Sequence, residues 1–77
     1  MLAVQVKRSP LPLRFARAAW QRMQADAHQY GWRWLVGQVE PDGHVRLLDP
    51  SKAKTRGGVT LTEAAELERP LEWLRST

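Results

Sequence analysis

Five cations carry the most suggestive spacing in this 77-residue chain. Lys52, Lys54 and Arg56 alternate over one short segment with no acid among them, and Gly57-Gly58 end it. Arg33 and Arg46 fall on two stretches that lead into that segment. Cations presented this way meet phosphate oxygens through charge-assisted hydrogen bonds, and each phosphate neutralised releases about one counterion. Trp32, Trp34 and Trp73 add broad aromatic faces, suited to stacking on bases or to anchoring a protein partner. The sequence therefore predicts nucleic-acid contacts at Arg33, Arg46, Lys52, Lys54 and Arg56. The alternative is a protein-partner contact at Trp32, Trp34 and Trp73.

Other chemistry finds no footing. His28 and His44 each follow an aspartate by two residues, Asp26 and Asp42, but the first pair points to different sides of a helix and the second spans a turn. Neither spacing suits a metal ion. Ser9, Ser51 and Ser76 lack a glycine elbow and a base to activate them. Gly57-Gly58 lacks the wider glycine spacing and the Lys-Ser/Thr of a phosphate loop. With no cysteine there is no thiolate ligand and no disulfide. The expectation is a protein without enzymatic activity, metal or cofactor.

The elements that must position these residues follow from periodicity. Leu2, Val4 and Val6 alternate with Ala3, Gln5 and Lys7, as in a half-buried strand. After Pro10 and Pro12 a helix is expected from Leu13 to about Gln29. Its apolar face is Ala16, Trp20, Met23, Ala27 and Tyr30, and its polar stripe, Arg14, Arg17, Gln21, Gln24 and His28, reads as a solvated face. Gly31 stops it. Residues 32 to 49 form a β-hairpin closed by Glu40-Pro41-Asp42-Gly43, in which proline presets φ and glycine accepts the left-handed conformation. Asp49-Pro50 ends the return strand. The basic segment reads as a mobile loop, and Val59-Thr60-Leu61 as a short further strand of the same sheet. A last helix opens at Thr60 or Thr62 with a capping box, carries Ala64, Leu67, Leu71 and Leu74 on its apolar face, and breaks near Arg69 because of Pro70.

The order β-α-β-β-(β)-α predicts an α+β fold, a small two-layer sandwich with a mostly antiparallel sheet covered by two helices on one face. Residues 1–77 are expected to make a single small domain. The start, MLAVQVKRSP, has too short an apolar run for a signal peptide, and no stretch approaches the ~20 apolar residues of a membrane span. A cytoplasmic protein with no membrane partner is the expectation. The formal charge of +4 is uneven: residues 1–56 hold ten Lys/Arg against four acids, and residues 57–77 hold two against four. A basic body with an acidic end favours polyanion binding through the first part.

Two stretches resemble known families. Tyr30-Gly31-Trp32-Arg33, the Pro41-Asp42-Gly43 turn and Gly58 before a closing helix resemble small toxin ribonucleases of double-stranded-RNA-binding-like fold. The catalytic histidine of those enzymes, set in a strand after a glycine, has no counterpart here. Arg46 to Glu66, with Asp49-Pro50-Ser51-Lys52 and Thr62-Glu63-Ala64-Ala65, resembles the end of three-stranded-sheet DNA readers of the plant ethylene-response and integrase arm-binding type, over less than half of the chain. Neither resemblance assigns a family. The reading from the residues is a small non-enzymatic protein that binds DNA or RNA through a basic hairpin and loop. Its rival is a protein–protein module, such as an inhibitor or adaptor from a phage or other mobile element.

Overall fold

The computed structural model describes residues 1–75. Strand β1 (Leu2–Arg8) lies parallel to β3 (Arg33–Val39), and β3 runs antiparallel to β4 (Val45–Leu48). A second sheet pairs β2 (Leu13–Phe15) antiparallel with β5 (Val59–Leu61). Helix α1 (Arg17–Gln29) supplies the crossover that a parallel β1–β3 pair requires. Helix α2 (Pro70–Arg75) closes the described chain. The α+β class is as the sequence predicts, and among the described residues two of the three strand pairings are antiparallel.

The hairpin forms where its turn residues place it. Gly43 has φ 92°, its N–H donates to Glu40 O at 2.9 Å, and Asp42 Oδ1 accepts from His44 N. Alternation along β3 then sends Trp34 and Val36 to one face and Arg33, Leu35 and Gly37 to the other. Helix α1 packs on the first face: the Trp20 ring lies 4.9 Å from Trp34 and 5.1 Å from Phe15. Leu13, Trp20, Val36, Leu48, Val59, Leu61 and Ala65 form one buried cluster there, with Met23 partly buried against it. Burial of so many apolar side chains against two tryptophans is the main stabilising term in so short a chain.

Four expectations are corrected. The first helix begins at Arg17, because Leu13–Phe15 pairs with β5 and buries Leu13 against the core. The strand Val59–Leu61 joins β2 rather than the hairpin sheet. The helix expected from Thr60 or Thr62 up to the break near Arg69 is absent, whereas the turn expected to begin at Pro70 is present. Thr62 caps a single 3-10 turn at Glu63–Ala65, Leu67 N donates to Leu47 O, and α2 starts only at Pro70. Leu71 is consequently 69% exposed. Finally, α2 does not share α1's face, since Trp73 stacks on Arg33, which alternation puts on the opposite side of β3. That opposite face keeps the apolar side of β1 largely uncovered, with Val4 48% and Val6 58% exposed.

Candidate nucleic-acid interface

The small β2–β5 sheet gathers cations that the sequence keeps far apart. Arg14 stands opposite Thr60 on β5, and Thr60 in turn exchanges two backbone hydrogen bonds with Lys54, of 2.8 and 2.9 Å. Directly opposed residues project to the same side of a sheet. Arg14, Thr60 and Lys54 therefore make a row across three segments, with both cations exposed, while Leu13 and Leu61 face the core. Arg17, at the start of α1, donates from Nη2 to Thr55 O at 2.7 Å. This bond and the Lys54–Thr60 pair tie down the basic segment, and Ala53 packs against the core cluster. The expected mobile loop is thus an anchored one, and Arg56 follows directly from the anchored residues.

The other cations expected at the interface have different surroundings. Arg46 forms an ion pair with Glu40 and a second with Glu66 at 3.6 Å, and it donates to Gln38 Oε1 at 3.1 Å. Arg33 sits with its guanidinium carbon 3.6 Å from the centre of the Trp73 ring and donates to Leu74 O at 3.3 Å. Both guanidinium groups hold the fold together. Lys52 borders a hollow lined by Glu63, Glu66 and Glu68, in which no residue of the Arg14–Lys54 row takes part. Of the five cations, Lys54 and Arg56 belong to the row's neighbourhood, and Arg14 and Arg17 join them. Arg14 was legible in one signal: Leu13-Arg14-Phe15 is an apolar-polar-apolar triplet after two prolines, as a short strand would be.

The tryptophans also separate. Trp34 is partly buried beside Trp20, and Trp73 is partly buried beneath Arg33. Trp32 is 36% exposed, with its ring 5.1 Å from that of Tyr30. These two rings and Trp34 border a cleft of about 360 Å³ between β1 and the C-terminal half of α1, floored in part by Met23 and Ala27. Gln5 and Asp26 are its polar lining.

Among the described residues no three His, Asp or Glu side chains come together as a metal site, and no helix is long and apolar enough to cross a membrane. Ser76 lies outside the described residues.

No protein-family model matches the sequence, and no curated protein matches it. The fold does have a solved counterpart. A Holliday junction resolvase from the archaeal hyperthermophile Archaeoglobus fulgidus superposes with a TM-score of 0.74 at 21% sequence identity. The match covers 87% of this chain and 58% of the resolvase, so the chain spans somewhat more than half of that enzyme's length. The likeness is one of fold, and it is to neither of the families that the sequence resembles. It overturns the expectation of a non-enzymatic chain, because the architecture is one on which an enzyme is built.

Proposed function

We propose that this chain is a DNA-acting module on a resolvase-like fold, which meets the phosphate backbone with Arg14, Lys54 and Arg56 and with the remaining donors of Arg17, and that it works in the cytoplasm. The observation that carries the reading is the Arg14–Thr60–Lys54 row, two exposed cations held in register on one sheet face. Backbone pairing fixes their spacing, so little conformational freedom of the main chain is lost when both meet phosphates. The fold likeness adds the class of partner. An inhibitor or adaptor role gains no support from that likeness, and Arg33 and Trp73, two of the residues offered for interfaces, are engaged with each other.

Gel shift and anisotropy with a four-way junction, a linear duplex and a single strand test the reading, each titrated from about 50 to 200 mM salt. The expected result is binding that weakens steeply with salt. The triple variant Arg14→Ala/Lys54→Ala/Arg56→Ala should flatten the slope by about three units, at about one per cation. End-labelled junction strands run on a denaturing gel after incubation with magnesium report cleavage in the same samples. No binding at the lowest salt overturns the proposal.

A further inference from the structure

The cleft between β1 and α1 has no part in the basic row, yet its lining is specific. Tyr30, Trp32 and Trp34 present aromatic surface to it, and the Asp26 carboxylate on its rim has no ion-pair or hydrogen-bond partner among the described residues. Gln5 offers one acceptor and two donor hydrogens from the other wall. Aromatic surfaces with a few polar atoms on the facing walls suit a flat aromatic ligand with a polar edge.

One cation also lies further along the wall of the cleft that β1 forms. Ala3, Gln5 and Lys7 share one side of β1, at steps of about 6.6 Å per two residues. Ala3 and Gln5 line the cleft. Lys7 Nζ lies 4.9 Å from the ring centre of Phe15, and Phe15 is the β2 neighbour of Arg14. A strand with a base in the cleft can therefore bring an adjoining phosphate to Lys7, whereas Arg14 alternates with Phe15 and projects from the other side of the β2–β5 sheet.

We infer that the cleft receives one unpaired nucleobase of a DNA strand whose adjoining phosphate meets Lys7, an inference that rests on the DNA reading above. Trp32 and Tyr30 supply the stacking faces, and Asp26, an acceptor only, selects bases that present amino groups. Guanine fits best, since its adjacent N1–H and N2–H groups face both carboxylate oxygens. Thymine fits worst, because it presents one N–H between two carbonyl oxygens that the carboxylate repels.

The test compares a fully paired duplex with the same duplex carrying one bulged guanine or one bulged thymine. Wild type should prefer the guanine bulge over the paired duplex by about ten-fold, within the range of one base–aromatic stack. Trp32→Ala should abolish that preference and leave paired-duplex affinity unchanged, whereas Arg14→Ala should weaken both DNAs alike. Asp26→Asn, on the exposed side of α1, should retain the bulge preference and lose the discrimination between guanine and thymine. A guanine-bulge preference that survives in Trp32→Ala, or none in wild type, overturns the inference while leaving the DNA reading intact. Absence of binding to any of the three DNAs overturns both. Quenching of tryptophan fluorescence by tetramethylammonium but not by guanosine monophosphate also overturns it, because the cleft would then be a site for organic cations.

Discussion

Arg46 and Gln38 stand directly opposite each other on the β3–β4 ladder, and Arg46 Nη1 donates to Gln38 Oε1 at 3.1 Å. Gln38 is 0% exposed, and its Nε2 donates to Ser9 O at 2.6 Å. The glutamine thus links the β1–β2 connection to the hairpin, and Arg46 completes its hydrogen bonding. Arg46→Ala leaves the glutamine oxygen unpartnered by protein and Glu40 without its cation. We expect a loss of about 1–3 kcal/mol in stability. Chemical denaturation of the variant checks this, and its salt slope for DNA should equal that of wild type.

Trp20 lies between Phe15 and Trp34 and joins α1 to both sheets. Replacing it by alanine opens a large void that no neighbour fills. Trp20→Ala should cost about 3–5 kcal/mol, enough to unfold much of a chain whose total stability is of the order of 5–15 kcal/mol. A variant melting within a few degrees of wild type by circular dichroism would contradict this packing.

Pro70 opens α2, where its preset φ suits the first helical position and its missing N–H has no intrahelical partner to lose. Glu66 is extended (φ −64°, ψ 133°), so no longer helix stands ready to form across the proline. Pro70→Ala should therefore destabilise by about 0.4–1 kcal/mol, through the added freedom of the unfolded chain. A stabilised variant in thermal melts would show that α2 extends toward Ala65 once the proline is gone.

Lys52 and Lys54 are two residues apart and should differ in DNA binding. Lys54 is fixed beside Thr60 on the exposed row, whereas Lys52 borders the Glu63, Glu66 and Glu68 hollow. Lys54→Ala should reduce the salt slope by about one unit, and Lys52→Ala should leave it nearly unchanged. Both variants should melt with wild type, since exposed charges contribute little to stability. Equal effects would place the DNA across both sides of the segment.

The parts legible in the residues alone are those whose causes lie within a few positions. Pro41-Asp42-Gly43 specifies its turn by its own φ preferences, Asp49-Pro50 ends the return strand, and Gly31 with φ 65° ends α1. The α+β order and the burial of Trp20 follow from period and composition. What remained hidden depends on segments that meet only in three dimensions. Leu13–Phe15 sits beside a helical stripe, and only its partner β5 supplies the hydrogen bonds that make it a strand. Arg33 and Arg46 look as available as Lys54 in one dimension. Trp73 and Glu66, both from the far end of the chain, occupy them, while pairing through Thr60 puts Arg14 beside Lys54. The cleft exists because α1 crosses β1 and β3, bringing Gln5, Asp26 and Trp32 to one space. Charge and aromatic content are properties of the sequence, but which side chains remain free to meet a ligand is settled by what distant segments neutralise or cover.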